Sequence, residues 1–206
     1  MNFAVLLQGM GMGASLLMPI GAQNAYLLNQ GIKKQHHLTI AAVYSFLDII
    51  FISAGIFGGG QLIASRPVLL NIITTGGIIF LLFYAFLSLK SAFTDNNGDE
   101  AVNHNQTDSR ATAIGGALAI TLLNPHLYLD TIVILGSIGG QFNGNERLSF
   151  AVGSIAMSFL WFYSLSMAAA KLSPVLSRPG VRRLLDIAVA VLMLLLAIKL
   201  AHYFFR

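Results

Sequence analysis

Two carboxylates inside apolar stretches are the residues of this sequence best placed to do chemistry. Asp48 lies in "YSFLDIIFI" and Asp130 lies in "NPHLYLDTIVILG". A charged side chain at the centre of a lipid bilayer costs about 2.5–3.5 kcal/mol on insertion scales, so residues of this kind usually serve a function. Each carboxylate suits a cation, a proton, or both in alternation. The alternatives are a structural hydrogen bond to a buried partner, or an acid that simply stays protonated.

The basic residues do not offer these acids an obvious partner. No lysine or arginine lies in the middle of an apolar stretch, and Lys199 is close enough to the C-terminus for its side chain to extend to the membrane surface. This absence of an internal counter-charge favours a functional role for Asp48 and, slightly less, for Asp130. His126 and Asp130 are four residues apart on one helical face and are positioned for a hydrogen bond.

Two segments of the sequence carry polar side chains shortly after a proline. "GASLLMPIGAQNAYLLNQG" (13–31) and "AITLLNPHLYLDTIVILGS" (119–137) both read Leu-Leu-x-Pro followed by polar residues in an apolar frame. Proline removes a backbone donor, and freed backbone groups at membrane depth need protein or a watery cavity to satisfy them. We predict two broken helices hinged at Pro19, Gly21 and Pro125. They frame a polar pocket lined by Gln23, Asn24, Asn124, His126 and Tyr128. The alternative is a pair of ordinary kinks with amides that bond between helices.

The elements that position these residues are apolar stretches of membrane-spanning length. The chain has 206 residues, of which 56% are hydrophobic and 10% are charged, against about 25% charged in soluble domains. Runs of about 20 apolar residues span a bilayer as helices. We predict an all-α integral membrane protein, a single polytopic domain over residues 1–206. Its six spans lie at about 3–28, 38–60, 68–90, 112–136, 148–170 and 183–204.

The two proline motifs also indicate an internal repeat. Pro125 follows Pro19 by 125 − 19 = 106 residues, about half of the chain. Each half, at about 1–95 and 110–206, then holds three spans and begins with a broken one. Because three is odd, the second half enters the membrane from the opposite side, which is the pattern of an inverted repeat. The polar loop 91–111 between the halves is predicted to be mobile.

Charge predicts the orientation in the membrane. Eight of the 12 basic residues follow spans one, three and five, and four lie on the opposite side. The first group is Lys33, Lys34, Lys90, Arg110, Lys171, Arg178, Arg182 and Arg183; the second is Arg66, Arg147, Lys199 and Arg206. Cytoplasmic loops carry the excess of positive charge. Both termini are therefore predicted to lie outside.

Several classes of function are disfavoured. There is no cysteine, which excludes disulfides, thiol catalysis and cysteine-bound metals. We expect no metal and no cofactor, because the adjacent His36 and His37 are weak evidence for a metal site. An enzyme is not expected, since the interior of the spans holds one histidine, His126, and the chain has no HExxH motif. The basic residues are spread over short loops, so nucleic acid is not expected as a partner. The lipid bilayer is expected as a partner. The sequence also allows a homo-oligomer.

The segments "GAQNAYLLNQGI", "AGIFGGG", "NPHLYLDTIVILGSIGGQF" and "SFLWF" closely resemble the LysE superfamily of amino-acid exporters, and within it the exporters of basic amino acids. The resemblance runs from about residue 3 to residue 204. It implies export of arginine or lysine across the bacterial inner membrane. The positions that it marks as functional are Asp48, Asn24, Pro19, Asn124, Pro125 and Asp130. Relatives commonly have proline where this chain has Ala22.

The mechanism expected from these residues is proton-coupled alternating access. Asp48 or Asp130 takes a cationic group of the substrate, and the partial positive charge at the N-terminus of a broken helix takes the carboxylate. Asp48 is the candidate for proton coupling. An exporter of neutral amino acids or of another small metabolite remains an alternative. In such an exporter Asp48 and Asp130 bind only protons and not the substrate. An ion channel is also compatible with intramembrane acids and broken helices.

Overall fold

The computed structural model describes residues 1–19, 21–59, 67–93, 109–124 and 127–204, and over these residues the protein is helical without strands. Its helices are α1 (Phe3–Leu17), α2 (Ala22–Ile32), α3 (His37–Ala54), α4 (Pro67–Phe93), α5 (Arg110–Leu122), α6 (Gly136–Gly139), α7 (Gly144–Leu176) and α8 (Pro179–Phe204). Two π-helical segments, π1 (Gly55–Gly59) and π2 (Tyr128–Leu135), extend α3 and precede α6. The prediction of an all-helical chain is confirmed over this part of the sequence.

The first predicted span is interrupted at its proline. α1 ends at Leu17, α2 begins at Ala22, and the two helix axes are bent by 81°. Gly21 stands at the N-terminal end of α2 in an extended conformation, and no side chain caps that end. A Cβ atom on Gly21 would meet nothing within 4 Å, so space does not require glycine there. The break itself, at Met18, Pro19 and Gly21, is where the sequence predicts it.

The fourth predicted span is also interrupted. α5 ends at Leu122, Leu123 and Asn124 leave the helix, and π2 begins at Tyr128. Pro125 and His126, a predicted hinge and a predicted pocket residue, lie outside the described residues. So does most of the predicted mobile loop 91–111, whose first three residues belong to α4 and whose residues from Arg110 onward belong to α5.

Some of the described helices have the length and the apolar composition of membrane spans. Among the described residues, His37–Gly58 and Gly144–Leu176 are each long and apolar enough to cross a bilayer. The bent pair α1 and α2 passes the same test as one unit, and Ile78–Phe93, Arg110–Leu122 and Asp130–Gly139 are shorter apolar helices. These features are those of a multi-pass membrane protein.

The broken first span lies along α7 in a parallel orientation. Asn2 donates its backbone N–H to Ser149 Oγ at 2.9 Å, and Gly13 packs on Ser154, so both helices advance in the same direction. α2 continues along the same helix, because Ser173 Oγ donates to Ile32 O at 2.6 Å. A Cβ atom on Gly9 would overlap the carbonyl oxygen of Phe150. The glycines therefore allow backbones to touch, as small residues do at membrane helix contacts.

The second and fourth spans form a second parallel pair. Tyr44 in α3 shares a buried cluster with Ala113 and Ala117 in α5. Further along, the ring of Phe51 meets the ring of Tyr128 at 5.5 Å between centroids. A Cβ atom on Gly55 would lie 2.7 Å from the carbonyl oxygen of Thr131, and one on Gly136 would lie 2.7 Å from that of Gly55.

α4 and α8 form an antiparallel pair beside these four spans. Ser91 Oγ donates to Asp186 Oδ2 at 2.8 Å, and the guanidinium of Arg183 lies over the ring of Phe93 at 5.3 Å. At the other end, Leu81 and Ala85 share a buried cluster with Met193 and Ala197. The late residues of α4 thus meet the early residues of α8.

Candidate functional site

A cavity of about 220 Å³ lies where the two broken spans meet. It is bounded by the end of α1, the start of α2, the break after α5, the start of π2, and one face each of α4 and α8. Its polar or hinge residues are Pro19, Gly21, Gln23, Asn24, Asn124, Asp130, Thr131 and Lys199. Leu16, Leu17, Ala22, Leu81, Leu127 and Leu196 supply the apolar wall. A mostly apolar cavity with a few polar groups is typical of small-molecule sites.

Asn24 satisfies the backbone that the first break exposes. Its Nδ2 donates to Leu17 O at 2.8 Å and to Pro19 O at 2.9 Å, which are carbonyls that a continuous helix would have paired. Trp161 in α7 donates from Nε1 to Asn24 Oδ1 at 3.1 Å. With all three bonds made, Asn24 is only 7% exposed. Its side chain acts as the cap of α1, held in orientation by Trp161.

Gln23 links the two halves of the chain across the cavity wall. Its Nε2 donates to Thr121 Oγ1 at 3.0 Å, and that hydroxyl donates to Ala117 O at 2.9 Å. The bond joins the first turn of α2 to the last turn of α5. The predicted pocket residue is thus on the cavity, with its amide nitrogen engaged by the other half.

Tyr128 serves the second break rather than the cavity. Its hydroxyl donates to Leu122 O at 2.8 Å, the last residue of α5, and its ring packs against Phe51. Tyr128 is not among the residues that line the cavity, so the structure does not bring it together with the other predicted pocket residues there. The bond from Tyr128 to the end of α5 is the counterpart of the bonds from Asn24 to the end of α1.

Asp130 and Lys199 line the same cavity with opposite charges. Asp130 comes from π2, and Lys199 comes from the last third of α8. The sequence predicts that the side chain of Lys199 extends to the membrane surface. In the structure Lys199 is exposed and also borders the cavity. The intramembrane acid therefore shares its cavity with a basic residue after all.

Asp48 lies apart from the cavity, in the contact between α3 and α7. It is 1% exposed, and Ser158 Oγ donates to its Oδ2 at 2.6 Å. Its Oδ1 has no hydrogen-bond partner among the described residues, and neither have the neighbouring Tyr44 OH and Ser45 Oγ on α3. Asp48 is not among the cavity-lining residues, which separates it from Asp130.

The comparisons with known proteins agree along almost the whole chain. Residues 14–203 match the family model described as LysE type translocator. The chain belongs to the LysE family. It is similar to an arginine exporter protein ArgO from Yersinia enterocolitica, 46% identical over 199 residues, which is 97% of each chain. A protein of the same name from Pectobacterium carotovorum is 43% identical over 201 residues, 98% of each chain.

A third LysE family relative, also named arginine exporter protein ArgO, comes from Salmonella schwarzengrund. It is 45% identical over 195 residues, which is 95% of this chain and 92% of the relative. No solved structure matches the chain. The family resemblance expected from the sequence motifs is confirmed.

In this LysE family chain the cavity brings together most of the residues that the sequence proposes. Pro19, Gly21, Gln23, Asn24, Asn124 and Asp130 all border it. Three residues that matter were missed: Lys199 on the cavity, Trp161 as the partner of Asn24, and Ser158 as the partner of Asp48. Trp161 lies in "SFLWF", a segment that marks the family, yet nothing in the sequence says which amide it contacts.

Proposed function

We propose that this protein exports basic amino acids, arginine and with it lysine, across the bacterial cytoplasmic membrane by proton-coupled alternating access. The observation that carries the proposal is similarity at about 45% identity over nearly the whole length to proteins named arginine exporter protein ArgO. The matches cover 92–98% of the length of these relatives.

The cavity is the proposed substrate site. It holds an acid for a cationic group, and the amides of Gln23 and Asn124 lie on the same wall. The first turn of α2 also borders it, with no side chain capping its backbone N–H groups. The positive end of a helix dipole attracts a carboxylate. A substrate with one carboxylate and two cationic groups finds complementary groups here.

The packing supports an inverted repeat of six spans as the transport scaffold. In an inverted repeat, span one corresponds to span four and span two to span five, so a contact of spans one and five implies one of spans four and two. Both contacts are present and both are parallel, as described for α1 with α7 and for α3 with α5. Span three (α4) corresponds to span six (α8), so the repeat maps their antiparallel contact onto the same contact. Sites of such transporters lie where the repeats meet at broken helices.

Asp48 is proposed to couple proton movement to transport. Arginine carries a net charge of +1, and moving one positive charge out of a negative-inside cell opposes about 2.3 kcal/mol per 100 mV. Exchange of one proton for one arginine removes this electrical cost. A carboxyl group buried at the contact of two spans, bonded on one oxygen only among the described residues, is suited to bind and release that proton.

Counterflow in proteoliposomes tests the function. Vesicles are loaded with unlabelled arginine, and a trace of radiolabelled arginine is added outside. We expect transient accumulation of label that lysine blocks and leucine does not. Folding is checked by a monodisperse elution profile before reconstitution.

Two results would contradict the proposal. Block by leucine as strong as block by lysine would indicate a carrier of neutral amino acids. Label uptake that does not depend on internal arginine, or that fails to saturate, would indicate a channel. Both alternatives are separated from export of basic amino acids in the same experiment.

A further inference from the structure

We propose that Lys199 binds the α-carboxylate of the transported amino acid and thereby fixes the orientation of the substrate in the cavity. This inference rests on the proposed function and extends it to a residue that the family motifs do not mark. The observation behind it is the shared cavity of Lys199 and Asp130, which come from two different helical segments, α8 and π2.

The position of Lys199 in α8 makes its presence at the cavity informative. The residue lies five positions before Phe204, about 7.5 Å along the helix axis, so a membrane surface is within reach of its side chain. Lysines near helix ends normally extend outward in this way. Lys199 is exposed and also borders the cavity together with Leu196, one turn earlier on the same helix face. Its ammonium is therefore accessible to a ligand that enters the cavity.

A lysine repels the guanidinium of arginine, which argues against a lysine at the binding site of a cation carrier. The repulsion becomes useful when the whole substrate is considered. With Lys199 at the carboxylate and Asp130 at a cationic group, each charge of the site faces an opposite charge. In the reversed orientation, the ammonium of Lys199 faces the guanidinium of the substrate, and the carboxylate of Asp130 faces the carboxylate of the substrate. The pair of charges therefore permits one orientation and rejects the other.

The pair also predicts which molecules the carrier rejects. Agmatine is arginine without its carboxyl group, and it keeps the guanidinium and an amine. Agmatine in the cavity offers Lys199 no carboxylate and places two positive charges near it. Argininamide keeps the length of arginine and loses only the negative charge. Both compounds are therefore expected to bind more weakly than arginine, by about tenfold to a hundredfold, the range for a hydrogen bond to a charged group.

The experiment measures inhibition of arginine counterflow by unlabelled arginine, agmatine and argininamide. It uses the full-length wild type, Lys199→Met, Lys199→Arg and, as a matched control, Lys171→Met on the exposed surface of α7. We expect the wild type and Lys171→Met to prefer arginine over agmatine at least tenfold. Lys199→Met should bring that ratio close to one, chiefly through weaker binding of arginine, and Lys199→Arg should restore it.

Each outcome has a distinct meaning. Wild type that shows no arginine counterflow contradicts the proposed function itself. Wild type that carries arginine but does not discriminate against agmatine overturns the role of Lys199, without any variant. An unchanged arginine-to-agmatine ratio in folded Lys199→Met overturns it as well. If Lys199→Met does not fold, Lys199→Gln, which keeps a polar end, gives the same comparison.

Discussion

At the scale of single residues, the two intramembrane acids have separate surroundings and should have separable roles. Asp130 borders the cavity, whereas Asp48 is enclosed between α3 and α7 with Ser158. The sequence treats the two acids as alternatives for one task. Their different positions instead suit a division of labour, with substrate at Asp130 and a proton at Asp48.

Asp48→Asn tests this division. An amide keeps the shape of the carboxyl and can still bond to Ser158, but it cannot exchange a proton at physiological pH. We expect normal insertion and near-normal arginine counterflow, which needs no net proton movement. Accumulation of arginine driven by an imposed pH gradient should be lost. Asp186→Asn, outside both sites, is the control, and pH-driven accumulation at the wild-type level in Asp48→Asn would contradict the assignment.

Asn24→Asp tests the capping role of the amide. The change keeps the side-chain shape, but a carboxylate cannot donate to Leu17 O and Pro19 O, and it places negative charge against both carbonyls. Removing a buried hydrogen bond costs about 0.5–1.5 kcal/mol, and leaving a group unsatisfied costs about 1–3 kcal/mol. We expect a clear fall in the melting temperature in detergent.

The matched control is Asn29→Asp, five residues further along α2 and away from the break. Its melting temperature should remain close to that of the wild type. Equal destabilisation by the two substitutions would show that Asn24 has no special role at the break.

At the scale of helices, the contact of α1 with α7 depends on the absence of side chains. Gly9 lies against the backbone of Phe150, whereas Gly11, on the same helix, meets nothing within 4 Å. Gly9→Ala should therefore force the helices apart and destabilise the protein by about 1–3 kcal/mol, the usual cost of overpacking. Gly11→Ala should be neutral or slightly stabilising, because alanine favours a helix.

Thermal unfolding of the two glycine variants in one detergent measures the difference. If Gly9→Ala melts at the same temperature as Gly11→Ala, the close approach of the two backbones does not contribute to stability. The comparison needs no transport assay, so it separates packing from function.

The helices and their interruptions follow from the sequence, whereas their lateral partners do not. Apolar length predicts α3 and α7, and Pro19 with its neighbouring amides predicts the first break. The bond of Trp161 to Asn24 depends on which helices are neighbours, which hydropathy does not encode. The same holds for Lys199: its distance from the C-terminus suggests the surface, and only the rotation of α8 directs it to the cavity.

At the scale of the whole molecule, orientation in the membrane is open to a direct test, because the chain has no cysteine. Asn143→Cys and Arg178→Cys introduce thiols at exposed positions just before and just after α7. A membrane-impermeant maleimide should label Asn143→Cys in intact cells. It should label Arg178→Cys only after permeabilisation, since we predict that the side richer in basic residues faces the cytoplasm. The opposite pattern would reverse the predicted topology.

The contact of α1 with α7 has a mechanical consequence. Where backbone touches backbone, no flexible side chain remains to absorb sliding, so α1 and α7 must rotate together as one rigid body. Between α2 and α5, by contrast, Gln23 donates to Thr121 Oγ1 and Tyr26 donates to Ala113 O, and a small shear can break and remake such side-chain hydrogen bonds. During a transport cycle, a pair of spin labels on α1 and α7 should keep one separation. A pair placed across the cavity, on α2 and α5, should report two.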